Sequence, residues 1–381
     1  MTELTIMAVG DLVLDEPDPA RYFAPSAPLL RTADLAIGQV EVPHTDSTEV
    51  ASLDVPAPPA DPAHLRAAAE AGFGVATLAG NHIYDCGAQG VLDTARHCRE
   101  AGMVPTGAGG DLAEARRPAI VERQGRRIGV LSYNCVGPRE SSATSRKAGA
   151  AAVKILTHYE LDSANPGGPP SIYTFAQPAS LAAFEADVAA LAAEVDVAVV
   201  ALHKGIGHVP VEIADYEYQV ARAAIDAGAH AVVAHHAHIM RGVEVYRGRP
   251  IFHGLGNFVT VTRALSRGGD SPERRAWAER REKLFGFRPD PAMPTYPFHP
   301  ESRNTAIAVL RVGPGGQLDA GLVPCWIDDD ARPVPLTDEE QARPVADYIR
   351  DITRRAGLDT ALTWVGGQLR VGVPTGGGAQ S

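Results

Sequence analysis

Short apolar runs recur along the chain, and each leads into a polar residue able to bind metal. The run at 4–9 leads into Gly10-Asp11, and that at 34–38 into Gln39-Val40-Glu41. Residues 74–78 lead into Gly80-Asn81-His82, 197–202 into His203, and 230–234 into His235-His236-Ala237-His238. Continuous apolar runs of this length predict strands buried on both faces. Residues 128–133 and 250–253 read the same way, the latter ending at Gly254-Leu255-Gly256-Asn257. Helices are predicted between them at 63–71, 89–102, 181–194, 214–227 and 338–354, some closed by glycine. Residues 305–312 alternate and predict a half-exposed strand.

Two stretches break this rhythm. Residues 139–180 are rich in Ser, Gly and Pro and read as a long functional loop, with His158 and Tyr159 as candidates to line a groove. Residues 261–304 join a charged helical segment to an aromatic, Pro-rich return and read as a lid. There is no repeat and no linker, so one domain is expected over 1–374, with these insertions and a flexible tail at 375–381.

Composition narrows the partners. With 381 residues, 45% hydrophobic and 21% charged, the chain can bury a large core. A net charge of −11 disfavours a nucleic-acid surface. The four cysteines form no CxxC pair, which speaks against a zinc ribbon or a disulfide framework and for a reducing compartment. No segment has the charge and apolar length of a secretory signal or a membrane span. A soluble cytoplasmic protein is expected, without nucleic-acid or membrane partners and with its oligomeric state open.

In open α/β sheets, ligands gather outside the carboxyl ends of the strands. Asp11, Gln39, Glu41, Asn81, His82, His203, His236 and His238 would meet there. Imidazole and carboxylate without thiolate suit divalent Zn, Mn or Fe. A carboxylate such as Glu41 can bridge two ions. Gly-Asp and Gly-Asn-His are also ordinary turn sequences, but three imidazoles in four residues have little structural use. Asp85 is either a helix N-cap or the partner that orients His82.

The motifs Gly10-Asp11, Gln39-Val40-Glu41, Gly80-Asn81-His82-Ile83-Tyr84-Asp85, His203-Lys204-Gly205, His235-His236-Ala237-His238 and Gly254-Leu255-Gly256-Asn257-Phe258 occur in this order. The set resembles the calcineurin-like metallophosphoesterase superfamily, in its CapA-type branch of poly-γ-glutamate capsule synthesis proteins. The resemblance implies an α/β fold, a four-layer αββα sandwich of two mixed β-sheets flanked by helices. It also implies two divalent ions, with Mn, Zn, Fe, Ca and Mg all open. By motif, Asp11, Glu41 and His238 would hold one ion, and Glu41, Asn81, His203 and His236 the other. Gln39 stands where the branch usually has Asn. His82 would be the acid/base histidine. Three further departures stand out: Asp11 is followed by Leu12-Val13 rather than reaching a His, Lys204 replaces the Trp of His-Trp-Gly, and the N-terminal span of anchored capsule proteins is not expected.

Such a centre can hydrolyse phosphoesters, or it can acidify the proton next to a bound carboxylate. The whole-chain pattern, including Gln-Val-Glu-Val-Pro-His at 39–44 and Tyr-Pro-Phe-His-Pro-Glu at 296–301, also resembles metal-dependent lasso-peptide epimerases. That resemblance implies inversion of the Cα centre of the C-terminal residue of a precursor peptide. The route would be a metal-stabilised enediolate with acid/base proton transfer, without NAD, PLP or ATP. His82, Asp85 and, from the lid, His299 are the expected proton-transfer residues. Lys204, Asn257 and Arg303 are the expected substrate contacts. A dinuclear phosphoesterase or a capsule-related protein is the alternative.

Overall fold

The computed structural model describes residues 3–51, 59–161, 163, 167–263, 279–280 and 282–373. Two mixed sheets face each other. In the ten-stranded sheet, Leu4–Leu14 is central. Leu35–Val40, Phe73–Thr77 and Val104–Thr106 follow it in parallel on one side. Asn304–Val312, Leu318–Ile327 and the hairpin Ala361–Val365 with Gln368–Gly372 continue antiparallel on the other. The six-stranded sheet runs Val243–Tyr246, Arg249–Phe252, Ala231–His236, Val197–Lys204, Arg126–Asn134, Ala119–Arg123. Its four inner strands are parallel.

Three apolar clusters define the layers. Ile6, Ile37, Val75 and Leu310 of the larger sheet share one cluster with Val130, Val199, Val233 and Phe252 of the smaller. The larger sheet's other face, with Val9, Ala36 and Val309, packs on Leu65, Ala68, Val91 and Ala95 of the helices Leu65–Ala71 and Gly87–Glu100. The smaller sheet's outer face, with Leu131, Val200 and Val232, packs on Phe184, Val188, Val220 and Ala224 of Pro178–Glu194 and Asp215–Asp226. The order is helix, sheet, sheet, helix, the αββα arrangement. Inner strands covered on both faces read as uninterrupted apolar runs.

Asn304–Val312 corrects the expected half-exposed strand. Ala306 and Ala308 face the inter-sheet core while Ile307 and Val309 face the helices. Its alternation is of size, not polarity. The first strand also departs from expectation, since it does not stop at Gly10 but runs to Leu14. Leu4 to Ala8 pair with Asn304–Val312, and beyond an irregular register Asp11 to Leu14 pair with Asn257–Val261. A Cβ on Gly10 would stand 1.9 Å from the Gly256 carbonyl oxygen, so only glycine permits this crossing. Asp11 therefore sits where the strand changes partners.

Residues 139–180 are not one long loop. They contain the hairpin Ile155–Glu160 with Ser171–Ala176, on which Tyr159 is exposed. Of the second insertion, 264–278 and 281 lie outside the described residues, as does the expected tail at 375–381. Its return buries Met293, Tyr296 and Phe298 against the core that the larger sheet shares with its helices. Among the described residues, no helix is long and apolar enough to cross a membrane. All four cysteines are buried and free.

Candidate metal centre

Asp11, Glu41 and His238 each offer a ligand atom, and these atoms lie within 4.8 Å of one another. His238 Nε2 is 3.2 Å from Glu41 Oε1, and Nδ1 is 3.7 Å from Asp11 Oδ2. A second convergence lies on His203 Nε2, 2.8 Å from Asn81 Oδ1 and 3.2 Å from His236 Nδ1. The backbone N–H of His236 donates to Asp11 Oδ2 at 3.1 Å, joining the two groups. The parallel strands carrying Gln39, His203 and His236 end at the same edge, which is why residues far apart in sequence meet.

The turn after Ala231–His236 is held in an uncommon conformation. His236 (φ 89°) and His238 (φ 53°) both occupy the left-handed region, which L-residues other than glycine rarely enter. Such strain concentrates at functional sites.

The residues fit a divalent cation. Asp11 Oδ1, Glu41 Oε2 and His203 Nδ1 are buried without a hydrogen-bond partner. An unpaired buried polar atom costs about 1–3 kcal/mol, more when charged. A cation would satisfy the carboxylate oxygens together, and it would relieve the crowding of oxygen and nitrogen acceptors on His203 Nε2. The donor set is oxygen and imidazole with no thiolate, as the strand ends led one to expect.

Electrostatics follow from burial and crowding. Burial, then the Glu41 charge, holds Asp11 well above the usual carboxylate range. Burial also pushes Glu41 up, but the adjacent His238 outweighs it and the net direction is down. Burial opposes the charge on His238, yet Glu41 and Asp11 prevail and push it up to about 9. Burial, reinforced by neighbouring imidazoles, lowers His203 well below the usual range and His236 to about 3, leaving both neutral and able to ligate.

Asp85 lies beside His82, with Oδ2 2.7 Å from Nδ1. The helix Gly87–Glu100 is instead capped at Cys86, with no side-chain cap. Of the two readings of Asp85, the structure gives the orienting one. Burial lowers His82, but the hydrogen bond and charge of Asp85, then Glu41, raise it overall.

Other expected residues stand elsewhere. Lys204 is fully buried, with Nζ 2.9 Å from Glu217 Oε2, so the expected substrate contact is corrected to an internal ion pair. Arg303 is likewise committed, to Ile327 O and Asp329 Oδ1 at 2.7 Å each and over the Trp326 ring. Asn257 is buried behind His238, accepting from Nδ1 at 2.8 Å, and is a support rather than a substrate contact. His299 caps a 3-10 turn, its Nδ1 accepting from Glu301 N–H. In the neutral ring the hydrogen then sits on Nε2. Gln39 is buried, with Oε1 accepting from Thr77 at 2.8 Å and Nε2 unpartnered. An amide nitrogen is no metal ligand; reversing the amide would let it donate to Thr77 and free the oxygen. His208 carries no role in the sequence reading. It lies 5.8 Å from His238 between ring centroids, among Phe285, Phe287 and Phe298, and no local pattern distinguished it.

The chain is 28% identical to an uncharacterized protein of Sinorhizobium fredii over 307 residues, 67% of this chain and 65% of that protein. It is 28% identical to the PGA biosynthesis protein CapA of Bacillus subtilis over 240 residues, 61% of this chain and 54% of the relative. It thus spans about half to two thirds of these curated relatives. It is also similar to the solved structure of the calcineurin-like phosphoesterase YfkN of Bacillus subtilis, at 11% identity and a TM-score of 0.39, covering 93% of this chain and 99% of that one. Residues 5–262, the stretch that carries every donor described above, match the bacterial capsule synthesis protein family PGA_cap, and the chain belongs to that family.

Proposed function

We propose that this chain is a metal-dependent acid–base enzyme that inverts the Cα centre of the C-terminal residue of a lasso-type precursor peptide. One observation carries the reading: the His82–Asp85 pair stands beside the buried Asp11, Glu41 and His238 cluster. When bound, divalent ions would neutralise a substrate carboxylate and acidify the adjacent C–H bond. Asp11, Glu41 and His238, with Asn81, His203 and His236, would hold them.

The chain's own residues supply the proton handling. Asp85 accepts from His82 Nδ1 and leaves Nε2 to take or return a proton. Inversion moves one proton off the α-carbon and another onto its opposite face, and the electron pair re-forms the C–H bond. No oxidant or reductant is needed. Leu12 and Val13 are buried apolar residues where the superfamily places a histidine. One protein ligand fewer leaves room for a substrate oxygen, which supports a carboxylate-bearing substrate.

Phosphoester hydrolysis is the second reading. The phosphoesterase-type order of the metal motifs favours it, and His82 would then protonate the leaving oxygen. Incubation with candidate peptides in D₂O and divalent metal, followed by mass and chiral analysis, separates the two. Deuterium uptake at the terminal Cα without cleavage supports the epimerase. Phosphate release from generic esters, with every peptide α-centre untouched, overturns it.

A further inference from the structure

Behind the ligands lies a buried ionic cluster that no metal or substrate contact explains. Lys204 directly follows His203, and Arg241 lies three residues after His238. Both side chains are fully buried, and both end on one carboxylate, Glu217. Lys204 Nζ is 2.9 Å from Oε2, and Arg241 Nη1 is 3.0 Å from Oε2 and 3.2 Å from Oε1. Glu217 also accepts from the Ala214 N–H at 3.0 Å, in the first turn of its helix. There the helix dipole favours an anion.

The backbone is shaped to admit this contact. A Cβ on Gly205 would stand 2.2 Å from Arg241 Nη1. Gly205 also has φ 114°, so glycine is required twice over. Lys204 Nζ also lies 3.1 Å from His253 Nδ1, and His253 Nε2 is 2.9 Å from Glu244 Oε2. His253 opens the Gly-rich turn that ends at Asn257, the residue holding His238. Three segments tied to the cluster, those of Lys204, Arg241 and His253, therefore lead to a metal-ligating histidine or its support.

We infer that Glu217 is a positioning residue for the metal centre. Through Lys204 and Arg241 it fixes the end of the His203 strand against the turn carrying His236 and His238. The inference rests on the metal centre and not on the reaction assigned to it. A lone buried ion pair is weak evidence for stability, and its better-attested use is to specify one arrangement. Here a single anion registers two ligand-bearing segments that belong to different strands.

The test is metal affinity, measured by titrating Mn²⁺ or Zn²⁺ into metal-free, folded protein. Glu217→Gln keeps the shape and removes the charge, and it is expected to weaken binding by about 10–100-fold, the usual effect of altering a residue that supports ligands. Asp187→Asn is the control. It breaks the contacts of Asp187 with Arg116 and Tyr133 on the outer helix layer, and is expected to lower thermal stability with metal affinity unchanged. Should Glu217→Gln fail to fold, the double variant Glu217→Gln with Lys204→Met removes anion and cation together and reads the same affinity. Unchanged affinity in the folded Glu217 variants, or an equal loss in Asp187→Asn, overturns the positioning role. Wild-type protein that takes up no divalent ion would instead remove the centre itself.

Discussion

Asn257 Oδ1 stands 2.8 Å from His238 Nδ1, and this contact decides which nitrogen of His238 faces Glu41. The orientation of the amide follows from a chain of donors. The Tyr296 hydroxyl donates to Ser302 O at 2.8 Å and accepts from Asn257 Nδ2 at 3.0 Å. Asn257 Oδ1 is then the acceptor, Nδ1 of His238 keeps its hydrogen, and Nε2 is left beside Glu41. A ligand histidine held by its other nitrogen is the usual arrangement in metal sites. Asn257→Leu is expected to weaken metal binding by about 10–100-fold, and Tyr296→Phe to do so less. Titration calorimetry of the metal-free proteins checks both.

Metal uptake should release a proton. Without metal, His238 is charged below about pH 9, because Glu41 and Asp11 stabilise its imidazolium. A metal ion must displace the Nε2 proton, so apparent affinity rises with pH up to about 9 and levels off above it. Calorimetry in buffers of different ionisation enthalpy measures the proton count. The same linkage makes His238 a stabilising group in the metal-free protein below its ordinary value, a contribution lost as pH rises through about 9.

His203→Ala or His236→Ala should lose at least one bound ion, since His203 Nε2 gathers Asn81 and His236 within 3.2 Å. Glu41→Gln should reduce the metal content further, as Glu41 stands 3.2 Å from His238 Nε2 and its charge also acts on His236. Elemental analysis of purified protein is the measurement. Unaltered metal in both histidine variants would remove the site.

His82→Gln and Asp85→Asn should leave metal content intact and slow proton transfer. General acid–base groups typically contribute about 10²–10⁴-fold in rate, with the larger loss expected for His82. Cα deuterium exchange on a peptide acid reports the step. A C-terminally amidated peptide should exchange far more slowly, because a neutral amide is a poorer metal handle.

Acid should destabilise the fold from about pH 6.5 downward. Burial lowers His44 and His253 to about 4, so the unfolded chain binds their protons first. Their contribution is present above the ordinary value of 6.5 and is lost as pH falls through about 4. It is on the order of 3 kcal/mol each at most. Urea melts at pH 7, 5 and 4 should show the loss, and His44→Gln should flatten its slope.

The sequence by itself determined the inner strands and the donor types. Strands covered on both faces must be continuously apolar, so a run such as Val197–Lys204 announces itself, and so does the polar residue where it ends. Helices such as Leu65–Ala71 were legible from local composition and glycine caps for the same reason, that the signal is contained within one element. What lay beyond local signal was partnership. Nothing near residue 10 tells that its strand exchanges Asn304–Val312 for Asn257–Val261 at Asp11. Asp85 could cap a helix or hold His82, and only distance chose between them. Lys204 looked like a cation beside a ligand, and burial against Glu217 turned it into an internal partner. Those outcomes depend on tertiary packing: Lys204 and Arg241 meet Glu217 of the helix laid on their own sheet, and His238 meets Asn257 of a strand in the facing sheet.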